Sequence, residues 1–153
     1  MENKKGPAFN LAVQDGKMHS LAHYAGKWVL LYFYPKDLTS GCTLEAEGFR
    51  DMQKEFAAAG VQVLGVSCDD VKSHKKFADK LGLNFPLLAD LGKKTVADYG
   101  VWVEKSMYGK KYMGIQRDSF LISPDGKIVK HYVKVKPADH PGEVLKDLAS
   151  RET

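Results

Sequence analysis

Two segments of the chain are almost continuously apolar, and both predict buried strands. Residues 27–34 (KWVLLYFY) are rich in aromatic side chains, and residues 61–67 (VQVLGVS) repeat the apolar pattern further along the chain. Runs of this length and composition are typical of strands that are covered on both faces of a sheet. Pro35 cannot donate a hydrogen bond to a neighbouring strand, so it ends the first of them.

The segment between these two runs predicts one helix over residues 40–59, because its apolar residues recur at helical spacing. The buried stripe of this helix would consist of Leu44, Phe49, Met52 and Phe56. Thr39 or Ser40 would cap its first turn, and Gly60 would end it. A strand, a helix and a second strand in this order require a parallel pair of strands with a right-handed crossover.

Two turn signals predict antiparallel hairpins. Asp15-Gly16 lies between the β-like stretches 9–13 and 18–21, which predicts an N-terminal β-hairpin. Ser123-Pro124-Asp125-Gly126 lies between the strands predicted at 117–123 and 128–133. The remaining predicted elements are a helix from Asp69 or Asp70 to about 81, a strand at 85–88, a short helix at 93–99 and a final helix at 141–151.

These elements predict a single α/β domain over residues 1–153. The expected architecture is thioredoxin-like, with a mixed central sheet flanked by helices and an N-terminal β-hairpin. In such sheets, functional sites form beyond the carboxyl ends of the parallel strands. The first turn of the helix predicted at 40–59 lies there.

Composition and charge exclude several classes of partner. The longest apolar run is far too short to span a membrane, and the N-terminus leads into no apolar stretch typical of a signal peptide. We therefore expect a cytoplasmic protein without membrane association. The formal net charge is +4, but the lysines are scattered and do not alternate with aromatic residues as in nucleic-acid-binding surfaces. We expect no nucleic-acid partner.

The chain has two cysteines, Cys42 and Cys68, which are too few for a disulfide scaffold and form no CxxC motif. Cys42 falls in the first turn of the predicted helix, where free backbone N–H groups and the helix dipole favour a thiolate. That position alone leaves a reactive thiolate and an inert, half-buried cysteine both open. The five dispersed histidines predict no metal site, and no glycine pattern suits a phosphate or dinucleotide, so we expect no cofactor.

A low pKa would not by itself make this thiol an efficient nucleophile. Lowering a thiol pKa from about 8.5 to about 6 raises the thiolate fraction at pH 7 roughly 30-fold. The accompanying loss of nucleophilicity removes roughly 10- to 20-fold of that gain. If the sulfur attacks an oxygen atom and displaces another, the reaction therefore also needs donors that stabilise the charge growing on the departing oxygen. Backbone N–H groups near Gly41 and Cys42, the Thr39 hydroxyl and one guanidinium would suffice.

The segment Pro35-x-x-x-Thr39-x-x-Cys42 resembles the PxxxTxxC signature of peroxiredoxins. The longer stretch FYPKDLTSGCTLEAEGFRD is similar to the bacterioferritin comigratory protein (peroxiredoxin Q) subfamily. The same similarity extends to GVSCDDVKSHKKFADK, NFPLLAD and YGVWVEKSMYGKKYMGIQRDSFLISPDGKI. The resemblance implies a thiol-dependent peroxidase that reduces hydrogen peroxide and organic hydroperoxides to water or alcohols through a Cys42 sulfenic acid.

The resemblance also implies a role for each matching residue. Cys42 would be the peroxidatic cysteine, and the Thr39 hydroxyl would bond the sulfur and the peroxide. Pro35 would shield the thiolate from bulk water, and Arg117 would hold thiolate and peroxide. Glu45, one helical turn after Cys42, either orients Arg117 or interacts only with the helix dipole.

The resolving cysteine departs from the subfamily pattern. Many members carry it five residues after the peroxidatic cysteine, where this chain has Glu47, and others carry it in the next helix, which here has none. Cys68 is the remaining candidate, although a packing role for it is the alternative. We expect a one-cysteine cycle in which thioredoxin or a small thiol reduces the sulfenic acid, and the resemblance implies a monomer.

Two other functions remain open on the same residues. A thiol–disulfide oxidoreductase would use the same fold, but it normally requires a CxxC motif. A redox sensor or holdase would use the same reactive thiol without turnover.

Overall fold

A mixed five-stranded sheet organises the computed structural model, which describes residues 2–151. The strands are β1 (Asn10–Ala12), β2 (Met18–Ser20), β3 (Trp28–Phe33), β4 (Val61–Ser67), β5 (Leu87–Ala89), β6 (Trp102–Met107), β7 (Lys110–Ile115), β8 (Ser119–Ile122) and β9 (Ile128–Tyr132). The helices are α1 (Ser40–Asp51), α2 (Gln53–Ala58), α3 (Val71–Leu81), α4 (Lys94–Asp98) and α5 (His140–Arg151), with a 3₁₀ helix at Leu21–Tyr24.

The sheet has the order β5-β4-β3-β8-β9. β3 pairs parallel with β4, and β4 pairs parallel with β5. β8 pairs antiparallel with both β3 and β9. This mixed arrangement confirms the predicted thioredoxin-like architecture, and β1 and β2 form the predicted N-terminal hairpin.

β3 is the middle strand, and its two faces support two separate apolar clusters. Leu30 and Tyr32 face the cluster that contains Phe49 of α1 and Val144 of α5. The alternate residues of β3 face the opposite cluster, which includes Val96 of α4. Because helices cover both faces, every position of this strand except its first can be fully buried, which explains its continuous apolar sequence.

The helix predicted at 40–59 is instead two helices, and its predicted stripe is wrong at one position. α1 ends at Asp51, and Met52 lies outside helical geometry with φ −103° and ψ 13° before α2 begins. Leu44 is 53% exposed. The buried face of α1 consists of Cys42, Glu45, Ala46 and Phe49, which follow the spacing i, i+3, i+4 and i+7. Leu44 precedes Phe49 by five positions, so the two cannot share that face.

The hairpin formed by β6 and β7 is absent from the sequence-based prediction. The two strands pair from Trp102↔Ile115 to Met107↔Lys110, and Tyr108 and Gly109 form the turn with φ of 52° and 78°. Two successive residues with positive φ are typical of the tight turns of β-hairpins. The outer half of the hairpin is exposed on both faces, so its sequence carries no alternation of apolar and polar residues.

Among the described residues, no helix combines the length and the apolar character that crossing a membrane requires.

Gly65→Ala should destabilise the central sheet. A Cβ atom at Gly65 would lie 2.9 Å from Leu87 Cδ2 and 3.0 Å from Tyr32 Cζ. We expect the free energy of unfolding, measured in urea, to fall by about 1–3 kcal/mol. Gly142→Ala in α5 is the control, because its nearest neighbour would be Met52 Cε at 4.0 Å. An equal loss in both variants would contradict this account.

Candidate active site

Cys42 lies in the first turn of α1, directly beyond the carboxyl end of β3. Its side chain is 1% exposed and belongs to the apolar cluster between the sheet and α1. The first backbone N–H groups of a helix have no acceptor within the helix. Together with the positive end of the helix dipole, they favour negative charge on a sulfur at this position.

Arg117 reaches Cys42 from the segment between β7 and β8. The backbone N–H of Phe33 donates to the Asp118 carbonyl at 2.8 Å, which fixes the start of β8 beside the end of β3. Arg117 Nη1 lies 3.5 Å from Cys42 Sγ and donates to Glu45 Oε1 at 2.9 Å. The sheet thus joins a guanidinium and a thiol that are 75 positions apart.

Gly41 makes room for that guanidinium. A Cβ atom at Gly41 would lie 3.1 Å from Arg117 Nη2. A side chain at position 41 would push the guanidinium away by a few tenths of an ångström. Glycine at this position lets Arg117 approach the first turn of α1 without that shift.

Glu45 is fully buried and shares the Arg117 guanidinium with Cys42. Burial raises the pKa of Glu45 to about 7, and the positive charge of Arg117 acts against that rise. Burial would lower the pKa of Arg117, but Cys42 and Glu45 outweigh it, so the pKa of Arg117 is raised. Of the two roles left open for Glu45, the ion pair supports orientation of Arg117.

Thr39 and Pro35 lie on the solvent side of the site. Thr39 is the N-cap of α1, but its side chain makes no capping bond. Its hydroxyl donates to the Lys36 carbonyl at 2.8 Å and not to the sulfur. The oxygen of Thr39 therefore keeps its lone pairs as acceptors. Pro35 is exposed at the beginning of the same loop, and its shielding role stays a prediction.

Cys68 lies on the other side of the sheet. It follows β4 and packs against the cluster opposite to that of Cys42. Both cysteines are free. Burial, followed by the charge of Asp90, raises the pKa of Cys68 to about 11. Its side chain is therefore a thiol at neutral pH.

A cleft of about 470 Å³ opens beside Arg117, between the β6–β7 hairpin and the segment after β9. Its lining includes Lys105, Tyr112, Gln116 and Lys134. Burial lowers the pKa of Lys105, and the positive charge of Arg117 lowers it further. Sequence reasoning missed Lys105, because nothing in the unpredicted hairpin indicates which of its lysines faces the site.

The structure also assembles a group that the dispersed histidines did not predict. One ligand-type atom each of Asp37, Asp69 and His74 lies within 4.8 Å of the others. Both ring nitrogens of His74 already face oxygen atoms, of Asp37 at 2.7 Å and of the Leu88 carbonyl at 2.9 Å. The Asp37 backbone N–H also donates to Asp69 Oδ2 at 2.8 Å, so hydrogen bonds join the three residues into one network.

The fold and the site can be compared with those of known proteins. Residues 3–131 match the model of the AhpC/TSA family. The chain is 49% identical over 142 residues to the putative peroxiredoxin bcp of Coxiella burnetii, covering 93% of this chain and 94% of that protein. It is 43% identical over 145 residues to peroxiredoxin Bcp of Bacillus subtilis, covering 95% and 92%.

Solved structures show the same similarity. Peroxiredoxin Q of Xanthomonas campestris superposes with a TM-score of 0.90 at 43% identity, covering 95% of this chain and 92% of that chain. The bacterioferritin comigratory protein of the same species, studied for its alkyl peroxide reduction activity, superposes with a TM-score of 0.90 at 42% identity.

Glu45→Gln should remove a pH dependence of stability. Because the pKa of Glu45 rises from 4.5 in the unfolded chain to about 7, the folded chain binds its proton more tightly. The protonated Glu45 carboxyl therefore stabilises the folded chain. This contribution is complete below pH 4.5 and is lost as the pH rises through 7. The loss amounts to roughly 3 kcal/mol by linkage. The free energy of unfolding, measured in urea, should fall less between pH 5 and pH 8 in Glu45→Gln than in the wild type. An equal fall in both proteins would contradict titration of the buried Glu45 carboxyl.

Proposed function

We propose that Cys42 is the peroxidatic cysteine of this chain, which belongs to the AhpC/TSA family and is a thiol-dependent peroxidase of the Bcp group of peroxiredoxins. The observation that carries the assignment is the 3.5 Å separation between Arg117 Nη1 and Cys42 Sγ at the start of a helix. A guanidinium, a helix N-terminus and a sulfur meet there beside an open cleft.

The chemical step follows from this arrangement. The Cys42 thiolate attacks one oxygen of a hydroperoxide ROOH, an S–O bond forms, and the O–O bond breaks. The electron pair leaves with RO⁻, which takes up a proton to become ROH, and Cys42 becomes a sulfenic acid. The Arg117 guanidinium and the first N–H groups of α1 would stabilise the developing charge. The Thr39 hydroxyl donates its proton to the Lys36 backbone carbonyl. Its oxygen would therefore accept a hydrogen bond from the peroxide.

The substrate range follows from the space beside Arg117. The cleft of about 470 Å³ has room for the organic group of an alkyl hydroperoxide. The relative from Xanthomonas campestris has alkyl peroxide reduction activity. We extend that activity to this chain, together with reduction of hydrogen peroxide, which is smaller than an alkyl hydroperoxide and needs less of the cleft.

An external thiol would complete the cycle. Cys68 packs on the opposite face of the sheet and has a raised pKa, which argues against it as a resolving cysteine. A one-cysteine cycle with thioredoxin or a small thiol as reductant is the simplest scheme. Cys42, Thr39, Glu45 and Arg117 all come from one chain, so the proposed monomer would contain every one of these residues.

Cys42→Ser should abolish turnover of peroxide with thioredoxin or dithiothreitol, and Cys68→Ser should retain it. Mass spectrometry of the peroxide-treated protein should find the oxidation at Cys42. A stoichiometric Cys42–Cys68 disulfide would contradict the one-cysteine cycle. A single reaction without turnover would instead indicate a redox sensor, and disulfide reduction without peroxide consumption would indicate an oxidoreductase.

Arg117→Lys should lower kcat/KM for hydrogen peroxide by about 10²- to 10³-fold, because lysine keeps the charge but loses the planar set of donors. The control is Arg50→Lys on the same helix as Cys42, where Arg50 pairs with Asp51 at the surface. Stopped-flow measurement of sulfenic acid formation gives the rate. Similar rates in both variants would remove Arg117 from the mechanism.

A further inference from the structure

A buried polar network ties the loop between β3 and α1 to helix α3. We call it the Asp37 latch, and it consists of Tyr34, Asp37, Ser67, Asp69, Ser73 and His74. The Asp37 carboxylate accepts from Tyr34 Oη at 2.6 Å and from Ser73 Oγ at 2.8 Å. His74 Nδ1 lies 2.7 Å from the same carboxylate. The side chain of Tyr34, directly after β3, and two side chains of α3 therefore converge on one residue of the loop.

His74 and Asp37 are in direct contact inside the protein. His74 Nδ1 lies 2.7 Å from Asp37 Oδ2, and His74 Nε2 lies 2.9 Å from the Leu88 carbonyl oxygen. Both side chains are buried, so removing one partner would leave a polar group of the other unpaired inside the protein.

The latch also holds the backbone of the loop. The Asp37 N–H donates to Asp69 Oδ2 at 2.8 Å, and Ser67 Oγ donates to the same oxygen at 2.7 Å. The next residue, Leu38, has φ of 65°, a left-handed conformation that is strained for leucine. Thr39, the N-cap of α1, follows directly. The latch thus fixes a strained turn just ahead of the first turn of α1.

The burial of Cys42 makes this turn relevant to the second half of the cycle. Reduction of the sulfenic acid requires a thiol RSH to attack the Cys42 sulfur. An S–S bond forms, the S–O bond breaks, and the oxygen leaves as water after taking up a proton. In the closed structure the Cys42 side chain is only 1% exposed. A thiol carried by a protein cannot reach this sulfur unless the loop and the start of α1 move.

We propose that Tyr34, Asp37, Ser73 and His74 are positioning residues whose latch sets how often the Cys42 loop opens for the reductant. This proposal rests on the proposed role of Cys42. The opening rate decides between two fates of the sulfenic acid. One is reduction by the thiol, and the other is attack on a second peroxide, which gives Cys42 sulfinic acid and ROH.

A weaker latch should affect the two half-reactions differently. When the open form is a minor state, a tenfold larger opening constant raises its population about tenfold and leaves the closed population almost unchanged. Thiol attack needs the open form, and peroxide attack needs the closed form with Arg117 in place. Loosening the latch therefore accelerates reduction without slowing peroxide cleavage.

Tyr34→Phe removes one donor to Asp37 and keeps the ring. Tyr132→Phe is the matched control, because its hydroxyl also donates to a carboxylate, that of Asp147 at 2.8 Å, between β9 and α5. Hydrogen exchange of the peptide covering residues 36–44 should accelerate about tenfold in Tyr34→Phe and stay unchanged in the control. This measurement uses the reduced protein and does not depend on catalysis.

The kinetic readout uses the same two variants. Reduction of the sulfenic acid by thioredoxin should accelerate about tenfold in Tyr34→Phe, with peroxide cleavage within about twofold of wild type. The peroxide concentration that inactivates half of the enzyme during turnover should rise in parallel. Ser73→Ala, a change at the α3 surface that removes another donor, should shift all three quantities in the same direction.

Exchange that is equal in Tyr34→Phe and Tyr132→Phe would overturn the latch. Faster exchange without faster reduction would overturn its role in admitting the reductant. Turnover that persists in Cys42→Ser would overturn the proposed function instead, and the exchange result would then still decide whether the latch controls the loop.

Discussion

Arg117 contacts two buried acidic groups at once, the Glu45 carboxyl and the Cys42 thiol. The guanidinium stays charged under these conditions, because both neighbours raise its pKa. Both acidic groups therefore contact the same cation. Burial raises the pKa of Glu45 to about 7, and the positive charge of Arg117 acts against that rise.

The sheet brings the interacting groups within contact distance. The loop with Cys42 follows β3. Arg117 precedes β8, the antiparallel neighbour of β3, which begins beside the end of β3. The antiparallel pair of β3 and β8 therefore brings the two parts of the site together. The helix start contributes free N–H groups. The missing side chain at Gly41 leaves room for the guanidinium beside the first turn.

Sequence patterns predicted the parts of the structure that repeat regularly. The apolar run at 27–34 predicted β3, because burial on both faces leaves no polar position. The same reasoning failed at Leu44, where five-residue spacing was mistaken for a helical stripe, and at the β6–β7 hairpin, whose exposed strands have no apolar face. Cys42 and Arg117 were identified by their motif. His74 and Lys105 were not, since tertiary packing alone brings them to the Cys42 loop and the cleft.

The two sulfur atoms lie on opposite faces of the central sheet, and this separation shapes how the protein relates to its surroundings. In a chain that can form an internal disulfide, a second cysteine of the same chain attacks the sulfenic acid, and the resulting disulfide persists until an external thiol reduces it. Under the proposed one-cysteine cycle, the layer of strands separates Cys42 from Cys68, and the oxidised sulfur would depend on thiols outside the molecule. The lifetime of the oxidised form would then follow the reducing capacity of the surroundings.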